Sequence, residues 1–176
     1  TPAGELSYWP GGGYGYAWTT VYGTHFLVEA KKAGYQVDDV VLKRLLDHLT
    51  QLSNQATFPY YSRYPADFQT NAYALYVLAL GGRPNQSTAV YSAEAMKRIL
   101  AGKSALTGID WVPTDEQTRA LIGGALLLGG DRSKAEDFIS RDFNLAKPGV
   151  RRDFWSSTRA DALLLSVLAD VQPTHR

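Results

Sequence analysis

Apolar residues recur along this chain with helical spacing, three to four residues apart, and almost nowhere alternate as strands require. The pattern predicts seven helices, near 17–33, 38–53, 68–81, 89–101, 115–129, 131–143 and 155–170. Glycines mark the stops: Gly34, Gly81-Gly82, Gly102 and Gly129-Gly130. Asp38, Asp67 and either Thr114 or Asp115 are placed to cap helix starts, and Thr114 with Gln117 has capping-box spacing. Pro59, Pro65, Pro84, Pro113 and Pro148 fall between the expected helices.

The helices come in two kinds. Those at 70–80 and 120–129 are apolar nearly all round and need protein on every side. Between them lie amphipathic helices. Val40, Val41, Leu42, Leu45, Leu46 and Leu49 form one stripe, opposite Lys43, Arg44, Asp47 and His48. Glu94, Lys97 and Arg98, then Lys134, Glu136 and Asp137, mark two further wet faces.

The apolar helices also repeat in sequence. TVYGTHFLVEA from Thr20, TNAYALYVLALGG from Thr70, TRALIGGALLLGG from Thr118 and TRADALLLSVL from Thr158 superpose, with threonines 50, 48 and 40 residues apart. Gln69-Thr70 and Gln117-Thr118 extend the match. Buried helix, turn, half-wet helix, repeated, predicts an all-α stack of αα-hairpins, either an open solenoid or part of an α/α toroid. The last helix lacks a partner, so an unsatisfied edge is expected on the N-terminal side. Residues 1–176 are expected to form one domain, a piece of a larger toroid.

Charge and composition mostly exclude. The 176 residues carry a net charge of +1 with no basic block, which gives nucleic acid no electrostatic footprint. The absence of cysteine rules out disulfides, thiolate metal sites and cysteine nucleophiles within the chain. The longest apolar run, Ala120 to Gly130, is too short to span a bilayer. No signal peptide is evident, and Thr1-Pro2-Ala3 reads as the start of a fragment of a longer chain.

The candidate chemistry concentrates in an aromatic, glycine-rich loop. Tyr8, Trp9, Tyr14 and Tyr16 surround Gly11-Gly12-Gly13 and Gly15, and the run enters the first helix at Trp18. Such a loop suits contact with a ligand, a partner or another part of the same protein. It follows no strand and lacks the Lys-Ser/Thr of a phosphate loop. A second aromatic loop, Phe58 to Pro65 with Tyr60 and Tyr61, also precedes a repeat helix. The two loops either share a binding rim or pack on each other to cap helix ends. His25 and Glu29, four apart, share a helix face beside Trp18 and Tyr22. They read as an acid/base pair or as a structural pair that orients the helix. Arg159 and Asp161 offer either a ligand clamp or a satisfied helix start. Ser156 and Ser157 have no elbow and no base. No metal-ligand spacing involves His25, His48 or His175, and neither metal nor cofactor is expected. Asn85-Gln86-Ser87 is a formal glycosylation sequon.

The run from Ser7 to Gly12 followed by Trp18 to Tyr35 resembles a segment of the bacterial alpha-2-macroglobulins, in their thioester domain. Asn71 to Pro84 and Phe154 to Leu165 are similar to later parts of the same domain, in the same order. The resemblance implies an α/α toroid within a large periplasmic or extracellular, non-enzymatic inhibitor. In that family a protease cuts a bait region, the molecule rearranges, and a Cys–Gln thioester traps the protease. Proteases and the remaining domains of the same chain are then the implied partners. This chain has no cysteine, so it holds no thioester, and none of the family's reactive residues carries over. Either the family's thioester motif lies upstream of Tyr8, or the parent belongs to a branch of the family without it; in the first case the aromatic loop would stand where it can face and shield that bond. Two alternatives compete: a carbohydrate-active enzyme of the α/α-toroid type, with Tyr60, Tyr61, Arg63, His25 and Glu29 as its candidates, and a helical-repeat scaffold that binds a protein partner.

Overall fold

The computed structural model describes residues 1, 4–55, 65–101, 116–139 and 157–171. Seven helices and no strand occur among them: α1 (Ala17–Lys32), α2 (Asp39–Gln55), α3 (Pro65–Leu80), α4 (Gln86–Leu100), α5 (Glu116–Leu128), α6 (Arg132–Glu136) and α7 (Ser157–Val171). They alternate between two layers, as the repeat requires. The odd-numbered helices pack on one another in an inner row, α1 on α3, α3 on α5 and α5 on α7. The shorter or more amphipathic α2, α4 and α6 lie outside, against their inner neighbours. The architecture is therefore all-α, αα-hairpin repeats forming an arc of the α/α-toroid type.

The inner row exists because α3 and α5 have no wet face. Every side chain from Ala72 to Ala79 is buried, as is every residue from Ala120 to Leu126. Close approach of α3, α5 and α7 depends on a missing side chain. A Cβ on Gly124 would sit 3.0 Å from both the Tyr76 ring and Val167. The aligned residues Gln69 and Gln117, at the starts of α3 and α5, touch through an amide hydrogen bond of 3.3 Å. Three of the four repeat threonines, Thr20, Thr70 and Thr118, are buried, while Thr158 on α7 is exposed.

Each inner helix that is followed through its end stops in the same way. Gly34, Gly82 and Gly130 take positive φ of 86°, 75° and 94°. The next residue's N–H reaches back five positions, Tyr35 to Ala30, Arg83 to Leu78 and Asp131 to Leu126, at 2.8–2.9 Å. This is the Schellman arrangement, which a glycine adopts without strain. It reverses the chain with one geometry three times, so the outer helices fall in register. A short side chain then caps each outer helix. Asp38 Oδ1 accepts from Val40 and Val41 (2.8 and 3.1 Å), Asn85 Oδ1 from Thr88 (3.4 Å) and Asp131 Oδ1 from Lys134 (3.1 Å).

Several expected boundaries move for local reasons. Helix α3 starts at Pro65 rather than 68, because proline is tolerated in a first turn, so Asp67 lies inside the helix instead of capping it. Helix α4 starts at Gln86 rather than 89, because Asn85 is its cap. Asn85 also donates to Ser53 Oγ and Asn54 Oδ1 (2.9 and 2.8 Å), tying α4 to the end of α2. The stripe on α2 begins at Leu42, since Val40 and Val41 are exposed. Helix α6 is a short piece that turns at Asp137, not a helix from 131 to 143, whose last residues lie outside the described set. Thr114, Asp115, Gly102, Tyr60, Tyr61, Arg63, Ser156 and His175 also lie outside it.

Exposed apolar side chains stand on both α1 and α7, not only on the N-terminal side. Tyr22 and Phe26 on α1 are 54% and 67% exposed, and Leu165 on α7 is 61% exposed. Replacing Gly124 by valine should destabilise the fold by about 1–3 kcal/mol through overpacking between α3 and α7. Urea denaturation followed by circular dichroism checks this, and an unchanged midpoint would contradict the packing described.

Candidate functional site

The aromatic loop is a held structure. Residues 5–7 cross α1, and the Leu6 side chain rests where Gly23 has no Cβ, space that any larger residue would fill. Thr20 locks this crossing. Its hydroxyl accepts from the Leu6 N–H (2.9 Å) and donates to the Tyr16 carbonyl (2.8 Å). The Tyr16 N–H returns a bond to the Leu6 carbonyl (3.1 Å). Thus the repeat threonine closes the base of the loop. At its tip, the Ser7 hydroxyl and the Gly12 N–H both donate to the Trp9 carbonyl (2.8 and 3.0 Å). Tyr8 and Tyr16 pack with ring centres 4.5 Å apart.

The loop presents its other aromatics outward. Trp9 is 78% and Tyr14 84% exposed, and Tyr8 and Tyr16 are about half exposed. Trp18, by contrast, belongs to the helix interface. It stacks on Tyr22 at 5.2 Å, and the Arg159 guanidinium of α7 lies 4.5 Å from its ring centre. This cation–π contact, with burial lowering the Arg159 pKa, gives Arg159 a structural task at the start of α7. The rim expected from two loops can be described for one only, since Tyr60 and Tyr61 fall outside the described residues.

His25 and Glu29 share α1, but each takes a different partner. His25 is 8% exposed, and its Nδ1 lies 2.7 Å from the Tyr73 hydroxyl of α3. The Tyr73 and Tyr76 rings both meet the imidazole edge-on, at 5.6 and 5.7 Å. The Glu29 side chain is 42% exposed and accepts from Lys32 (2.9 Å), so it acts on His25 through its charge alone. Burial lowers the His25 pKa, against the pull of Glu29 and Asp170. At neutral pH the ring is therefore uncharged.

Below this pair, the Tyr76 hydroxyl donates to Asp170 Oδ2 of α7 at 2.6 Å. Lys32 bridges Glu29 and Asp170, reaching Asp170 Oδ1 at 3.3 Å. Trp18 meets Arg159 near the N-terminal ends of α1 and α7, and Lys32 meets Asp170 near their C-terminal ends, so the two helices run in the same direction. A polar and aromatic seam thus runs along the meeting of α1, α3 and α7. Burial raises the Tyr73 and Tyr76 pKa values, Asp170 raising the latter further, so both phenols keep their protons. Sequence reasoning missed Tyr73, Tyr76, Lys32 and Asp170. The available signal was two tyrosines three apart in the run Ala72–Leu80, which is otherwise alanine, valine and leucine. His48 does not face open water: it is half-buried, with Nε2 3.8 Å from Glu5 Oε1 of the crossing strap. Among the described residues no three His, Asp or Glu side chains gather as a metal site, and no helix is long and apolar enough to cross a membrane.

No protein-family model matches the chain. Among curated proteins it is 29% identical over 176 residues to an alpha-2-macroglobulin of Xylella fastidiosa strain Temecula1, covering 96% of this chain and 10% of that protein. An alpha-2-macroglobulin of strain 9a5c is 29% identical over 157 residues, 85% of this chain and 9% of that protein. Among solved structures, Escherichia coli alpha-2-macroglobulin activated by porcine elastase superposes with a TM-score of 0.71 at 25% identity, over 96% of this chain and 14% of that one. Salmonella alpha-2-macroglobulin reacted with methylamine gives 0.68 at 24% identity, over 96% and 10%. The chain therefore spans about a tenth of the length of the curated relatives it matches.

Exchange of Thr20 for valine removes both of its hydroxyl bonds at the base of the loop, leaving the Tyr16–Leu6 backbone bond, and should cost about 1–3 kcal/mol. It should also speed chymotrypsin cleavage after Tyr14 under native conditions. Equal cleavage rates would show that Thr20 does not hold the loop.

Proposed function

We infer that this chain is a helical segment of an alpha-2-macroglobulin-like protein of the bacterial kind, and we propose that it is part of the toroid scaffold of that protein's thioester domain. The supporting observation is the inner row itself. Its middle helices are covered on every side, whereas α1 and α7, which also meet each other along the seam, leave Tyr22, Phe26 and Leu165 exposed to solvent. Exposed apolar side chains of that kind suit contact with further helices of a larger domain. The likeness to alpha-2-macroglobulins over 96% of the chain supports the same reading.

In this reading the whole protein is a protease trap of the periplasm or extracellular space, and its partners are target proteases and its own other domains. The segment contributes no reactive bond, having no cysteine. Its contribution is shape, together with the aromatic loop. Tyr8, Trp9, Tyr14 and Tyr16 form a held apolar surface that suits shielding a bond from water. Tyr60, Tyr61 and Trp18 belong to the same proposal, Trp18 as the helix-side anchor.

The test uses the full-length protein. Mixed with trypsin, it should retain the protease through gel filtration and block its cleavage of large substrates while sparing small ones. Free elution of fully active trypsin would overturn the trapping role. In a thioester-bearing parent, replacing Tyr14 and Tyr16 together by alanine should speed thioester hydrolysis, read as the release of a titratable thiol. An unchanged rate would overturn the shielding role.

A further inference from the structure

The seam between α1, α3 and α7 contains a group whose protonation the fold opposes. His25 Nε2 is buried and has no hydrogen-bond partner. Nδ1 is occupied by the Tyr73 hydroxyl. A neutral imidazole leaves one ring position unsatisfied here, a modest penalty. An imidazolium must donate from both nitrogens. Its Nδ1–H would force Tyr73 to act as acceptor and turn its own buried hydroxyl proton elsewhere, and its Nε2–H would meet no acceptor.

The groups around His25 decide what relieves this. On α1 itself stand Glu29 and Lys32, bound to each other. From α3 come Tyr73 and Tyr76, whose rings pack edge-on against it. From α7 comes Asp170, whose two oxygens are taken by Tyr76 and Lys32, while Arg159 lies farther up the seam against Trp18. The charges of α2, Asp39, Lys43, Arg44 and Asp47, sit on its solvent side, where Asp39 pairs with Lys31 and Asp47 with Lys43 and Arg83. Asp170 and Glu29 are thus the anions a charged His25 would compete for. Asp170 is also the residue through which α7 is tied to both α1 and α3.

We propose that His25 is an acid-sensitive latch: its protonation draws on Asp170, breaks the Tyr76–Asp170–Lys32 tie and loosens α7 from α1 and α3. The sign follows from burial. A histidine whose folded-state pKa is lowered binds fewer protons folded than unfolded, so its contribution to stability is complete above about pH 6.5 and is lost as the pH falls below it. The proposal does not depend on protease trapping.

Hydrogen exchange of the full-length protein, read by mass spectrometry at pH 7.5 and 5.5 and corrected for intrinsic rates, tests it. Peptides covering 157–171 should lose protection several-fold on acidification, and those covering 116–128 much less. His25→Gln, which can still accept from Tyr73 but cannot charge, should abolish the difference, and His48→Gln should retain it. Equal protection of 157–171 at both pH values in the unsubstituted protein would overturn the proposal whether or not the His25 variant folds. A loss that persists in His25→Gln would overturn it too.

Discussion

A helix apolar on every side is stable in water only when protein surrounds it, and α3 and α5 impose that constraint on the rest of the molecule. Their neighbours must be helices, because only helices can be laid on both flanks and on the outer side by the same short glycine turn. The repeated Schellman ends at Gly34, Gly82 and Gly130 supply that turn with one geometry. From this follow the inner row, the outer layer, and the apolar flanks left on α1 and α7.

Three polar pairs cross the inner row. Gln69 meets Gln117, Tyr73 meets His25, and Tyr76 meets Asp170. Each such bond joins two helices at a defined rotation, which apolar side chains alone specify poorly. A buried polar atom left unpaired costs more than a made bond gains, so these pairs fix the register of the row as well as its stability. The exposed ion pairs, such as Lys31 with Asp39, contribute little by comparison.

Much of the architecture was legible because helical spacing and glycine stops are local signals. The seven helices, their alternation and their repeat could all be read without tertiary information. Boundaries failed where a local rule has two readings. Pro65 can precede a helix or open one, and Asn85 can be a sequon or a cap; the structure uses the second option each time. The partners of His25 were not legible, because Glu29 shares its helix face while Tyr73 lies 48 residues away. Which of two candidates bonds depends on how α3 is rotated against α1, and no local pattern encodes that. Trp9 and Tyr14 of the aromatic loop stand exposed. The locking role of Thr20 was hidden because the same threonine is an ordinary repeat position in the other copies, buried at Thr70 and Thr118 and exposed at Thr158.

The central proposal is that further protein of a larger domain covers the exposed apolar side chains of α1 and α7. Hydroxyl-radical footprinting of the full-length protein beside the isolated chain measures this directly at Tyr22, Phe26 and Leu165. Strong labelling of all three in the isolated chain and protection of them in the full-length protein is the predicted result. Equal labelling in both would contradict the account.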